Sequence, residues 1–206
     1  MENELIRKYA LCLASKLNVY IGKEGLDFKK MVLGAEVLIV NISKLIIMYL
    51  LAAMLGVIVH TAIIHIAYVV IKRFSFGLHA LNSTVCTIVS CTLFVAVPWG
   101  LRGVGIGSAA VVAVFVAVIF CLYKYAPADT KARPLVGKML RARLRKKAVI
   151  CGVVLFVIAL AVPSREVKLL LTLGAAFQVV SVLPLTYKIL KRSERNYEAY
   201  EQAGQV

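Results

Sequence analysis

LIIMYLLAAMLGVIVHTAIIHIAYVVI, residues 45–71, runs for 27 residues without an Asp, Glu, Lys or Arg. A helix needs about 20 predominantly apolar residues to cross the hydrocarbon core of a bilayer, and this stretch exceeds that. Other runs come close to it. Residues 84–101 give 18 charge-free positions, 104–123 give 20, 148–164 give 17 and 169–187 give 19. With 61% hydrophobic residues and a mean hydropathy of +0.87, the 206-residue chain departs from the composition of a soluble domain. The expected fold is all-α: a polytopic transmembrane helical protein of about six membrane segments with an N-terminal amphipathic interfacial helix.

Upstream of the long run, residues 1–21 place Leu5, Ile6, Tyr9, Leu13, Leu17 and Tyr20 at helical spacing, with Glu2, Glu4, Arg7, Lys8 and Lys16 between them. That pattern predicts an amphipathic helix lying on the membrane, with Cys12 buried on its apolar face. Charges recur through it and no apolar run of seven precedes a small-residue cleavage site, so it does not read as a cleaved signal peptide. Gly22-Lys23-Glu24-Gly25 then breaks the pattern. Residues 31–71 suffice for two spans joined tightly around 50–55, although no polar loop marks the turn; a kinked or partly interfacial first segment is the alternative. Glu36 and Lys44 interrupt this region. Eight residues apart on one helix they sit about 12 Å from each other along the axis, too far for a direct ion pair. Charged groups inside a span face protein or water, so they hold the structure or meet a substrate.

Downstream, Asn82-Ser83 is a good N-cap for a span ending at Pro98. Two further spans, 148–164 and 167–187, flank a turn at Pro163-Ser164-Arg165-Glu166. The expected organisation is a single membrane domain over 1–206. Its parts are an amphipathic helix and linker (1–30), the first hydrophobic segments (31–123), a basic loop (124–147), the last two spans (148–190) and a polar tail (191–206).

The net charge of +15 comes from 25 basic and 10 acidic residues. In a soluble chain this balance would suggest nucleic acid, but here the basic residues lie between spans, where they set topology. Residues 124–147 carry nine Lys/Arg against one acid, Asp129, and so mark the cytoplasmic side. Two spans separate that loop from His79, which places His79 and Cys86 on the cytosolic side as well. The polar tail, two spans further on, carries Lys188, Lys191, Arg192 and Arg195 and agrees. Five cysteines without paired spacing argue against a disulfide framework.

His79 and Cys86 stand seven apart in RFSFGLHALNSTVC, residues 73–86. Imidazole and thiol are the minimum for nucleophilic catalysis: the base takes the thiol proton and the thiolate attacks a carbonyl. An uninterrupted helix would hold them about 10.5 Å apart along its axis, beyond the roughly 3 Å a working pair needs. A bend is therefore required, and Gly77 and Asn82-Ser83 bracket the gap. Cys86 would then lie near the start of a helix, where the dipole favours negative charge, with Lys72 and Arg73 adding positive potential. Taken singly, a Cys in a membrane helix usually reads as packing and an interfacial His is ambiguous; their joint placement at a helix start beside a Gly is what points to catalysis. Cys91, Cys121 and Cys151 read as core residues, and the i, i+5 spacing of His60 and His65 does not form a metal site. No metal or cofactor is expected.

These residues resemble the accessory gene regulator B (AgrB) family. The match consists of Gly77-Leu78-His79-Ala80 with Cys86 at the family's spacing, then Tyr125-Ala126-Pro127-Ala128-Asp129-Thr130 with Pro134, and upstream Gly34 and Asn41-Ile42-x-Lys44-Leu45. The resemblance implies a membrane cysteine endopeptidase that cuts an amphipathic AgrD-like propeptide in quorum sensing. His79 would be the general base and Cys86 the nucleophile. The acyl-enzyme would be linked to cyclisation as a thiolactone or lactone, and the protein would be a homodimer in the membrane of a Gram-positive bacterium. Phe76 departs from the pattern, since many members carry a second Gly there. Candidate substrate contacts are Arg73, Ser75, Asn82, Asp129, Arg141, Arg143, Arg145, Glu36 and Lys44; the expected partners are the propeptide, membrane lipids and a second copy, with no nucleic acid. The rival reading is a small transporter or exporter using Glu36 and Lys44, which needs no reactive thiol.

Overall fold

Helices account for most of the residues described in the computed structural model, which cover 2–78, 83–130, 134–193 and 196–202. The chain divides into two compact units, residues 1–54 and 55–206. In the first, α1 (Glu2–Ile21) packs on α2 (Gly25–Met54). The join is tied by Asn18, whose amide donates to the Lys23 carbonyl at 2.9 Å and accepts from the Lys23 N–H at 2.7 Å. The packed face of α1 is Ala10 and Ala14, both fully buried, against Val32 and Ala35. Small residues four apart let two helices approach closely. The Leu/Tyr stripe lies outside this contact, with Tyr9 65%, Leu17 47% and Tyr20 90% exposed. For the same reason Cys12 is exposed rather than buried.

The second unit runs α3 (Ile58–Ser75), α4 (Ser83–Cys91), a π-turn (Thr92–Ala96), α5 (Val97–Gly100), α6 (Ser108–Tyr125), α7 (Lys138–Ala161), α8 (Arg165–Val182), α9 (Pro184–Ile189) and α10 (Tyr197–Gln202). The turn expected around 50–55 falls at residues 55–57, as the absence of a polar loop permits. Helix α8 is the hub: Leu170, Leu171, Thr172, Gly174, Ala175, Gln178, Val179 and Val182 are all buried along it. It meets α3, α6 and α7 around a core that includes Ala67, Ile71, Phe115, Leu122, Leu155 and Ala159. At Gly174 a Cβ would lie 2.5 Å from the Ile64 carbonyl oxygen and 2.7 Å from Ala67 Cβ. The two helices can therefore touch backbone to backbone only because that side chain is missing.

Three helices, Gly25–Met54, Ile58–Ser75 and Ser108–Tyr125, are long and apolar enough to cross a membrane, and Thr84–Gly100 is a shorter apolar run. Helix α7 is mixed: its basic residues fill the turns before Ala148, and the apolar run begins there. The basic stretch 124–147 is thus partly helical. Residues 126–137 lie between α6 and α7, and Lys138 to Lys147 are already helical. Pro127 and Pro134 both fall in the non-helical part, where a missing N–H is tolerated.

The π-turn has a local cause. Pro98 has no N–H to give the carbonyl four residues back, and the ladder widens just before it, with the Val97 N–H reaching the Thr92 carbonyl. The widening seats Phe94 among His65, Tyr68 and Phe177, at ring-centroid distances of 5.1, 4.9 and 6.4 Å. This aromatic cluster holds the α4–α5 run to α3 and α8. At the opposite end of α3, His60 Nε2 lies 3.0 Å from Glu166 Oε1, which also accepts from the Gly103 N–H at 3.0 Å. The Gly103 bond, then His60, hold the Glu166 carboxyl below the usual carboxylate range.

Candidate functional site

The site begins where α3 stops. Ser75 is buried, and its hydroxyl donates to the Ile71 carbonyl at 3.0 Å, closing the last turn. Phe76 then adopts φ 55° and ψ −129°, and Gly77 φ 111°. Two successive residues in the positive-φ region turn the backbone sharply out of the helix. A phenylalanine at such a φ is uncommon, because its Cβ crowds the backbone. The departure noted at Phe76 thus falls on a position whose geometry favours glycine.

Three neighbours hold this turn. Ala128 pairs with it in an isolated parallel bridge: its N–H donates to the Ser75 carbonyl at 2.9 Å, and its carbonyl accepts from the Gly77 N–H at 3.0 Å. From α8, the Ser181 carbonyl accepts the Leu78 N–H at 3.0 Å. Also from α8, Gln178 Nε2 donates to Ser75 Oγ at 2.8 Å and to the Phe76 carbonyl at 2.6 Å. All four residues from Ser75 to Leu78 are gripped. His79, Ala80, Leu81 and Asn82 follow and lie outside the described residues, so the predicted base and one predicted contact are known only by their place in the chain.

Ala128 can serve as a partner because the 126–130 segment is itself anchored. Arg145 Nε donates to the Ala126 carbonyl at 2.8 Å, and the Tyr187 hydroxyl donates to the Asp129 carbonyl at 2.9 Å. The Asp129 carboxylate is buried and accepts from the backbone N–H groups of Asn196 (3.1 Å) and Tyr197 (2.8 Å). It therefore caps α10. Arg141 completes the tail's attachment: it pairs with Glu201 at 2.7 Å and stacks over the Tyr197 ring at 3.7 Å. That hydrogen bond, with the Gly137 N–H at 3.0 Å, holds the Glu201 carboxyl below the usual carboxylate range. Between these groups lies a cleft of about 320 Å³ lined by Lys124, Asp129, Arg141, Arg145, Tyr187 and Tyr197 among others.

Cys86 is the fourth residue of α4, in its first turn, and half-buried. Its thiol lies within electrostatic reach of the Tyr68 phenol on α3. Lys72, one turn on, donates to that phenol oxygen at 2.5 Å and sits 4.7 Å from the ring centre. An ammonium and a phenol thus stand together in the C-terminal half of α3. The pinned turn after α3 and the start of α4 flank the segment that carries His79.

The predicted contacts separate by position. Ser75 is part of the turn; Arg73 is exposed in the last turn of α3. Asp129 and Arg141 anchor the tail, Arg145 holds Ala126, and Arg143 is exposed. Glu36 and Lys44 lie on α2 in the first unit, Lys44 with its ammonium 3.4 Å from Asn41 Oδ1. Gln178, Ser181, Tyr68 and Tyr187 were not singled out from the sequence. Gln178 had a signal, being the one amide in an otherwise charge-free run; the role of Ser181 rests on a backbone carbonyl and had none.

Residues 12–182 match the profile of the family described as Accessory gene regulator B. An AgrB-like protein of Clostridium acetobutylicum is 38% identical over 201 residues, covering 98% of this chain and 96% of the relative. One from Listeria innocua is 39% identical over 197 residues, covering 96% of each. The Accessory gene regulator protein B of Staphylococcus aureus is 31% identical over 182 residues, 88% of this chain and 94% of that protein. No solved structure matches the chain.

Proposed function

The chain belongs to the accessory gene regulator B family, and on that premise we propose that it is a membrane-embedded cysteine endopeptidase acting on an amphipathic AgrD-like propeptide. Family membership brings a role in the agr quorum-sensing system. In the proposed reaction His79 takes the Cys86 thiol proton, and the thiolate attacks the scissile carbonyl. The tetrahedral intermediate collapses, His79 returns the proton to the leaving amine, and the acyl group remains on Cys86 as a thioester. A thiol or hydroxyl of the same peptide then attacks that thioester, releasing a cyclic thiolactone or lactone and restoring Cys86.

The observation that carries this reading is the family match over residues 12–182. It is supported by the end of α3 at Ser75, four residues before His79, and by the place of Cys86 in the first turn of α4, so that α3 does not run on through both residues. A continuous helix would keep the two side chains about 10.5 Å apart along its axis. The reading extends to a multi-pass, homodimeric protein with this pair on the cytosolic side, where the propeptide shares the interface with it. The exposed guanidinium of Arg143, beside Arg141 and Arg145, supplies charge for an acidic segment of that peptide.

The test places wild type, Cys86→Ala and His79→Ala in liposomes with a candidate propeptide and follows the products by mass spectrometry. Cleavage by wild type alone, with an acyl group trapped on Cys86, is expected. Equal cleavage by all three removes the pair from the chemistry.

A further inference from the structure

Gln178 is fully buried on α8, the only amide side chain on that helix. Burying an amide is costly unless its groups are bonded. Its Nε2 has two partners, Ser75 Oγ and the Phe76 carbonyl, but its Oε1 has none. The chemistry leaves no choice of orientation. Ser75 already gives its proton to the Ile71 carbonyl and can only accept from Gln178, and a carbonyl can only accept. A side chain kept for packing would be apolar; this one leaves an oxygen orphaned in order to direct two donors at one turn.

The turn it grips is strained. Phe76 stands at φ 55°, a conformation a phenylalanine holds only when its surroundings over-determine it. We propose that Gln178 is a positioning residue for the base at position 79: its bonds to the Ser75 hydroxyl and Phe76 carbonyl fix the backbone from which His79 departs. The inference rests on the endopeptidase reading. The Leu78 N–H, held by Ser181 one turn further along the same helix, makes α8 the rigid element against which the base is set. Proton transfer needs the base within about 3 Å of the thiol, and misplacement by about 1 Å costs roughly a hundredfold in rate.

The experiment measures kcat and KM for propeptide cleavage in liposomes, at matched amounts of inserted protein, for wild type, Gln178→Met and Gln178→Glu. Gln178→Met keeps the length and lacks the donors. We expect kcat to fall about 10- to 100-fold with KM within about twofold. Gln178→Glu is isosteric, and its introduced carboxyl donates to the Phe76 carbonyl only when protonated. Its activity relative to wild type therefore rises as pH falls. A residue that merely stabilised the fold would change the yield of inserted protein and leave both readouts alone. Wild-type kcat in Gln178→Met, or a pH-independent ratio in Gln178→Glu, overturns the inference. If only Gln178→Met fails to insert, the ratio decides alone. Failure of both variants to insert assigns Gln178 a structural role and overturns it too. Cys86→Ala and His79→Ala, assayed alongside, separate the two levels: if they still cleave, the peptidase reading has failed, whereas dead controls beside a normal Gln178→Met defeat only the positioning role.

Discussion

Gly77→Ala strikes the turn at its tightest point. The residue sits at φ 111°, where a side chain is strained by about 1–3 kcal/mol. The new Cβ would lie 2.5 Å from Ser181 Oγ and 2.9 Å from the Ser181 carbonyl oxygen. The hydroxyl can swing away only by giving up its 2.8 Å bond to the Gln178 carbonyl, and the Ser181 carbonyl is backbone of α8, already accepting from Leu78. Overpacking of this kind costs about 1–3 kcal/mol more. The sum, about 2–6 kcal/mol, shifts the docked turn by roughly 30-fold at the low end. The core reaches this turn through Ile71, Val179 and Val182, so part of the strain should also lower thermal stability, and activities are compared at matched amounts of inserted protein. Propeptide cleavage in liposomes should fall at least about 30-fold, and the Leu78 and Ala128 amides should exchange faster with solvent. Adding Ser181→Ala removes the 2.5 Å contact and should recover part of the loss. Cleavage by Gly77→Ala within about threefold of wild type, or about 0.7 kcal/mol, would show that docking of this turn does not govern the reaction.

Three further outcomes follow from the same geometry. Phe76→Gly should preserve cleavage, since glycine accepts φ 55° without strain, whereas Phe76→Val should lower it about 5- to 30-fold because a β-branched residue there is strained by about 1–2 kcal/mol; equal rates for the two would refute this. Asp129→Ala strips the acceptor from the Asn196 and Tyr197 N–H groups. At about 1–3 kcal/mol for such a loss, limited proteolysis of the tail should accelerate roughly 5- to 150-fold, and an unchanged rate would deny Asp129 its capping role. The Glu201 carboxyl is held low, chiefly by Arg141, so its contribution to tail docking is complete above the ordinary carboxylate value of about 4.3 and is lost as pH falls through the lowered one. Proteolysis of the tail should therefore be flat from about pH 8 to 5 and rise only in stronger acid. Glu201→Gln should abolish that rise, and loosening already between pH 8 and 6 would point to another group.

The helical, membrane-like class was legible in the amino-acid order, because transfer of side chains from water to an apolar medium depends on composition along a run and on little else. That order also marked Gly77 as a point where the chain turns and the stretch around Pro127 and Pro134 as non-helical, since φ restrictions and missing N–H groups act within a few residues. It did not show which residues of α1 meet α2: Ala10 and Ala14 make that contact because small residues allow close approach, and the Leu/Tyr stripe lies outside it. Tertiary structure alone decided the rest of the site. The turn at Ser75–Leu78 is held by Ala128, Gln178 and Ser181, roughly fifty to a hundred residues away in the chain, and Asp129 proved to be a cap for the tail. Such bonds depend on where distant backbone groups meet, and a buried carbonyl such as that of Ser181 has no signature in side-chain type or periodicity.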